Sequence, residues 1–313
     1  MQRLTALLTG LFLTASGAVH AQDVRAISTK TDSVLTLSDS LSIFRLVDSL
    51  MILFDEQNHS VLNFRLLYNS NVMAAGRTLG IAQFGLSPGI TWYHKSGLYA
   101  DLTGYWSRDF TPTYYLTVLS AGYMHPFGER FMAMASYDRY EYQFDESFTP
   151  FKNALTVSAS ADLKFLTLQT DYSFFFGDEK VHRITQSVSG RLEKEHIWKL
   201  DKVSFAPGVF VLLGDATISE IILPQTRAEW ILAWFRLRNG NPWYTVRTYR
   251  VFGVMNYAFL APLMLQKKRF TLTLSYMYNI PRALPGEMLL LSESGFIMAG
   301  LSYRLPLKRK SDW

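Results

Sequence analysis

Residues 155–176 read LTVSASADLKFLTLQTDYSFFF. Leu155, Val157, Ala159, Ala161 and Leu163 alternate with Thr156, Ser158, Ser160, Asp162 and Lys164. After Phe165 the alternation resumes: Leu166, Leu168, Thr170, Tyr172 and Phe174 oppose Thr167, Gln169, Asp171 and Ser173. Successive side chains of a strand point to opposite faces, so each run has one apolar and one polar face. A helix would mix the two sets around its girth.

The same period runs outward in both directions. Towards the N-terminus, Leu62, Phe64 and Leu66 form an apolar set. So do Leu86, Pro88, Ile90 and Trp92, and Leu98, Ala100, Leu102, Gly104 and Trp106. Towards the C-terminus, Ile184, Val188, Gly190 and Leu192 oppose Arg183, Thr185, Ser187, Ser189 and Arg191. Phe270, Leu272, Leu274, Tyr276 and Tyr278, then Ile297, Ala299, Leu301, Tyr303 and Leu305, close the series. About twelve strands are predicted, near 60–70, 85–95, 97–107, 113–125, 129–142, 152–163, 165–176, 180–193, 202–213, 253–266, 268–280 and 293–306.

Strand length separates a membrane barrel from a secreted soluble β-protein, the competing reading. These runs match the roughly 9–11 tilted residues that cross a bilayer, whereas soluble strands average nearer 5–6. Aromatic residues are 15 % of the chain and gather at strand ends. Trp92 and Tyr93, Tyr105 and Trp106, Tyr114 and Tyr115, Tyr140 and Tyr142, Phe174 to Phe176, and Tyr276 and Tyr278 are expected in two interfacial girdles. After the leader, no apolar run has the length of a spanning helix. In hydrocarbon every backbone polar group must pair within the protein, which leaves a closed barrel. The expected fold is all-β: a closed antiparallel transmembrane β-barrel of about twelve strands with a short N-terminal helix.

Met1-Gln2-Arg3, the apolar stretch Leu4–Ala18 and the small residues Val19 and Ala21 flanking His20 read as a secretory signal peptide over 1–21. Residues 22–58 are expected to be a periplasmic segment. Within it Ile43, Phe44, Val47, Leu50, Met51 and Phe54 recur at helical steps over Asp39–Phe54. That helix could lie in the periplasm, plug the barrel or cover its rim. The barrel takes 59–306, and 307–313 is a basic tail containing Lys308-Arg309-Lys310.

Short turns are expected at Lys95–Gly97, Pro126–Glu129 and Gly177–Glu179, and longer links at Phe144–Phe151 and Arg282–Ser292. Arg191–Lys202 mixes both charge signs and reads as a solvated loop. Asp215–Arg250 is too long for a hairpin turn; Glu229–Trp234 within it could form a short helix or part of an extra pair of strands.

The absence of cysteine excludes disulfides, thiolate metal sites, a Cys nucleophile and a lipidated anchor. The formal charge of +5 is spread along the chain without a long basic run, so no nucleic-acid footprint appears. His59, His125, His182 and His196 lack metal-ligand spacing, and no cofactor is expected.

Gly76-Arg77-Thr78-Leu79-Gly80, Leu86-Ser87-Pro88 and Tyr93–Ala100 carry a resemblance, as do Asn256-Tyr257, Ala261-Pro262-Leu263 and Tyr278–Pro281. Together they resemble uncharacterised outer-membrane β-barrel proteins of the Bacteroidetes type. The resemblance implies an outer-membrane address and no reaction.

Two constellations could carry chemistry. His94 and Ser96 lie two apart, as the His and Ser of some outer-membrane acyl hydrolases do. A serine hydroxyl needs a base, and the base a carboxylate to orient it, yet spacing assigns no acid and Ser96-Gly97 reads as a turn. The second is a polar set expected to line the lumen: Arg65, Asp101, Asp138, Asp162, Lys164, Asp171, Arg183 and Arg191. These should pair with each other or face water, because unpaired charge in a narrow lumen is costly. The expected functions are, in order, passage or binding of small solutes through a polar lumen, a structural or interaction barrel binding a partner or glycan by its loops, and a lipid-modifying acyl hydrolase. The expected partners are outer-membrane lipid and a small solute or partner protein, with the oligomeric state left open.

Overall fold

The computed structural model describes residues 60–70, 85–108, 111–143, 151–287 and 291–307. The signal peptide expected over 1–21, the helix expected over Asp39–Phe54 and the tail Lys308–Lys310 lie outside the described residues.

The strands are β1 (Ser60–Asn69), β2 (Gly85–Tyr93), β3 (Leu98–Ser107), β4 (Tyr114–Phe127), β5 (Phe131–Tyr142), β6 (Phe151–Asp162), β7 (Leu166–Gly177) and β8 (Lys180–Gly190). They continue with β9 (Leu192–Ile197), β10 (Leu200–Phe205), β11 (Gly208–Ile222), β12 (Thr245–Lys267), β13 (Phe270–Pro281) and β14 (Ser294–Leu307). Among the described residues one helix, α1 (Arg227–Arg238), interrupts them between β11 and β12. Strands β1 to β8 and β11 to β14 form a closed antiparallel ring of twelve. β1 closes on β14, from Ser60 opposite Leu307 to Asn69 opposite Met298. The remaining seam is β11 on β8 and β12.

β9 and β10 continue β8 and β11 beyond the rim as a hairpin, with β10 still paired to β12 at Leu263–Gln266. The solvated loop expected over Arg191–Lys202 is therefore corrected to strand. Its charges alternate along a ladder that stands clear of the apolar zone, so charge did not mark the absence of strand. Pro207, which has no N–H for the ladder, breaks β10 from β11. Asp215–Arg250 is also corrected: β11 runs on to Ile222 and β12 begins at Thr245, so only 223–244 connects them. Of the two alternatives weighed for Glu229–Trp234, the helix occurs; in place of an extra pair of strands, β11 and β12 themselves lengthen.

Ser60, Leu307 and the turns His94–Gly97, Gly128–Arg130, Leu163–Phe165, Trp198–Lys199 and Lys268–Arg269 share one end of the barrel. Gly97 has φ +92°, and a Cβ there would strike the carbonyl of Met124. The connection 223–244 and the described residues of the β13–β14 connection, 282–287 and 291–293, occupy the other end. The short Gly177–Lys180 link is there too, on the opposite side from the other short turns. Short turns at one end and long loops at the other are usual in outer-membrane barrels.

Parity sorts the wall. Leu66, Leu102, Leu119, Leu155, Val157, Leu168, Val188, Phe259, Leu274, Ile297 and Leu301 are exposed on the outside. Thr91, Thr103, Ser136, Thr156, Ser158, Ser160, Ser187, Thr273 and Ser275 are buried on the inside. An apolar exterior around a hydroxyl interior inverts a soluble domain and matches a barrel bathed in lipid.

The girdles differ from expectation in one respect. Outward rings do meet at strand ends, with Trp106 against Tyr114 at 4.4 Å and Phe270 against Tyr303 at 4.8 Å between centroids. Tyr93, Tyr105, Tyr115, Tyr140 and Phe175 are instead buried. Adjacent strand residues point to opposite faces, so of Trp92/Tyr93 and Tyr105/Trp106 only the Trp reaches lipid. Tyr105, Leu116, Val118, Tyr140 and Phe175 form an apolar layer at the long-loop end of the interior. Tyr93, Tyr99, Met124 and Met134 form one at the short-turn end. The hydroxyl band lies between them.

Candidate functional site

Arg65 sits on β1 opposite Gly89 of β2, and Thr91 of β2 sits opposite Asp101 of β3. All four have inward parity. The Arg65 guanidinium crosses β2 and meets Asp101 with Nη1–Oδ1 at 2.8 Å and Nη2–Oδ2 at 2.9 Å. It also donates to Thr91 Oγ1 and Thr103 Oγ1, both at 2.5 Å. Thr91 and Thr103 in turn donate to the Asp101 carboxylate at 2.5 and 2.8 Å. The two charged side chains are only 8 % and 11 % exposed. Bidentate geometry and two hydroxyl partners are what a buried ion pair needs to offset its desolvation.

Gly89 makes room for this crossing. A Cβ there would lie 2.8 Å from Thr103 Oγ1 and 2.9 Å from Arg65 Nε. Next to the pair, Leu67, Thr273, Ser275, Met298 and Gly300 line a small hollow against β1, β13 and β14.

A second charge centre joins β8, β11 and β12. Arg183 lies over Gly214 and donates to the Asp215 carbonyl at 2.6 Å and the His182 carbonyl at 3.1 Å. The Asp215 carboxylate accepts the His182 N–H at 2.6 Å, and Arg183 Nη1 and Arg250 Nε each approach it at 3.6 Å. A third runs along the short-turn rim: Arg191 to Asp162 at 2.6 Å, Arg191 to Glu193 at 3.8 Å, and Glu193 to Lys202 at 3.0 Å.

The expected lumen set is thus dispersed over several centres. Arg65 and Asp101 come together at mid-wall, and Asp162 with Arg191 at the rim. Arg183 joins Asp215 instead of another member. Asp171 accepts from Gln169 Nε2 at 3.0 and 3.2 Å. Asp138 is fully buried, with its strand neighbours Ser120 and Ala154 in register beside it. Lys164 is a correction. It stands exposed in the β6–β7 turn with φ +71°, because the strand ends at Asp162 and alternation no longer sets direction past that point.

Partners that the sequence reading missed include Thr91, Thr103, Asp215, Glu193, Lys202 and the buried pair Asn256–Asn279, joined at 3.1 Å. Thr91 and Thr103 carried a signal: Thr91 shares inward parity with Arg65 and Asp101 on its two neighbouring strands, and Thr103 shares it with Asp101 two residues away on its own strand.

His94 Nδ1 lies 2.7 Å from Ser96 Oγ, within the exposed β2–β3 turn. The Ser96 N–H also points to Nδ1, at 3.3 Å, so the imidazole braces the turn. Among the described residues no carboxylate bonds to His94, and no group of three His, Cys, Asp or Glu is placed to hold a metal.

The fold and its lining define the class: a closed β-barrel that crosses a membrane with its polar face inward, the architecture of outer-membrane proteins. No protein-family model and no curated protein matches the chain. Among solved structures it is similar to the KdgM porin, at 8 % identity and TM-score 0.42 over 78 % of this chain and 98 % of that one. It is also similar to the NanC porin, at 13 % identity and TM-score 0.40 over 78 % and 100 %. A third is the translocator domain of the autotransporter NalP from Neisseria meningitidis, at 11 % identity and TM-score 0.35 over 90 % and 100 %.

Proposed function

We propose that the barrel passes small polar solutes across the outer membrane. The observation that carries this reading is the hydroxyl band. Ser136, Ser158, Ser160 and Ser275 are buried on the inner wall, and among the described residues their Oγ atoms have no hydrogen-bond partner. Buried hydroxyls without a protein partner are costly unless water or a ligand satisfies them. They therefore suit a hydrated solute. Their low exposure means that neighbouring atoms cover them at this level, so passage requires those neighbours to shift and suits only a small solute. The Arg65–Asp101 and Arg183–Asp215 centres place both charge signs on the wall, which fits neutral or zwitterionic cargo better than cargo of one charge. Nothing in this reading makes or breaks a covalent bond.

The test is conductance of the purified barrel in planar bilayers, with swelling of proteoliposomes in small sugars and amino acids. Discrete current steps and swelling that declines with solute size are expected. A folded, heat-modifiable barrel that gives neither would overturn the reading.

A further inference from the structure

The β11–β12 hairpin outgrows the barrel. Beyond Gly214, strand β11 has only β12 beside it, and Asp215–Ile222 pair with Thr245–Phe252 as a free ribbon. At about 3.3 Å per residue the ribbon extends roughly 25 Å along the strands. Its inward face is covered: Ala216, Ile218, Tyr249 and Val251 pack with Leu284 of the β13–β14 connection. Its outward face continues the wall of β12 from Phe259 to Phe252 and Val246, all exposed, with the exposed Arg250 and Thr248 between the last two.

The ribbon carries α1, whose sequence is RAEWILAWFRLR. Trp230, Ile231, Leu232, Trp234, Phe235 and Leu237 are all more than half exposed. They surround the helix instead of forming a stripe, and Ala233 is its buried residue. Trp243 stacks on Trp230 at 5.7 Å, so three of the chain's seven tryptophans meet at this tip. Residues 227–250 hold Arg227, Arg236, Arg238, Arg247 and Arg250 against the single acid Glu229. Arg238 lies over the Trp234 ring at 5.5 Å, which keeps a cation beside an apolar surface.

In water such a helix would leave an apolar surface uncovered. Tryptophan and arginine together are the chemistry of the membrane interface: rings sit at head-group level, and long cationic side chains reach the phosphates. We propose that α1 and its ribbon lie in the outer-leaflet interface beside the barrel. The Trp and Leu side chains contact acyl chains, and the arginines contact anionic lipid phosphates. Two observations select lipid as the occupant: the ribbon is continuous through β12 with the lipid-facing barrel wall and ends in an exposed apolar helix, and the excess of arginine, Arg250 on the outward face included, complements anionic head groups.

The chain has no cysteine, so one can be introduced as a unique label site. Leu232→Cys carries an environment-sensitive dye, and the full barrel is placed in nanodiscs of phosphatidylcholine and phosphatidylglycerol. Nitroxide on the acyl chains and a water-soluble nickel chelate compete as quenchers. The same label at Leu274→Cys, on the barrel wall, calibrates the lipid quencher. The nitroxide is expected to quench the Leu232 label several-fold more strongly than the chelate does. Quenching by the nitroxide is expected to rise with the fraction of phosphatidylglycerol, and Arg236→Gln with Arg238→Gln should remove that dependence. Quenching by the chelate alone would overturn the proposal. So would protection from both quenchers with cross-linking to a second copy, which would make this tip a protein interface. Heat-modifiability of each variant reports that the barrel has folded.

Discussion

Arg65 and Asp101 are joined across an intervening strand, with Nη1 2.8 Å from Oδ1 and both side chains nearly buried. Removing one partner leaves the other buried and uncompensated, which typically costs about 3–5 kcal/mol. Replacing both with apolar residues removes the stranded charge. Arg65→Met and Asp101→Leu should each lower the urea midpoint of folding into vesicles markedly, while the double variant recovers most of the loss. A double variant as unstable as the sum of the singles would show that the pair is not the coupled unit described.

Gly89 should tolerate no side chain while Arg65 crosses it. A Cβ at 2.9 Å from Arg65 Nε and 2.8 Å from Thr103 Oγ1 forces the guanidinium aside. Overpacking of this kind costs about 1–3 kcal/mol. Gly89→Ala is expected to destabilise the folded barrel by that amount, and Gly89→Val by more. If Gly89→Ala unfolds at the wild-type urea concentration, the crossing has an alternative route.

The helix at the tip of the ribbon should respond to acid. The N–H groups of Gln225 and Thr226 donate to the Glu229 carboxylate at 2.8 and 3.2 Å, and together they hold its pKa below the ordinary value of 4.5. Thr226 completes the capping box by accepting the Glu229 N–H. A depressed carboxylate contributes stability above its unfolded pKa and loses it as pH falls through the folded value. NMR titration of the Gln225 and Thr226 amides should give a midpoint below 4.5. A midpoint at or above that value would mean the cap does not hold in solution. Thr226→Ala should cost the helix about 1 kcal/mol.

Most of the barrel was legible because lipid on one side and a polar interior on the other force a strict period of two on every crossing residue. Where that constraint ends, the reading failed. Asp215–Ile222 and Thr245–Phe252 form a ladder beyond the apolar band, so neither face had to be uniformly greasy, and the stretch read as a loop. Leu163 and Lys164 seemed to continue the alternation of β6, but the strand stops at Asp162 and the pattern past it was coincidental. The site was legible residue by residue and not as contacts. Arg65 and Asp101 are 36 apart in sequence, and only the order β1–β2–β3 together with Gly89 brings them into register. Asp215 escaped notice because its role depends on where the β8 ladder stops, which no local pattern marks.

Adjacent residues on β13 give the most direct test of the inside-out wall. Leu274 is 41 % exposed and points outward, while Thr273 is 7 % exposed and points into the barrel. If lipid bathes the exterior, Leu274→Arg places a cation in hydrocarbon at a cost of about 2–4 kcal/mol near the midplane, falling towards zero at the interfaces. Leu274→Ala removes only apolar contact with lipid and should cost far less. If the exterior were instead covered by another protein layer, Leu274→Ala would open a cavity and cost about 2–5 kcal/mol. Urea titration of the wild-type and variant chains in vesicles separates the cases. A large loss for arginine with a small one for alanine supports the lipid-facing wall, whereas comparable losses for both would show that this surface is packed against protein. Thr273→Ser keeps the inner hydroxyl and should leave the midpoint near that of the wild type.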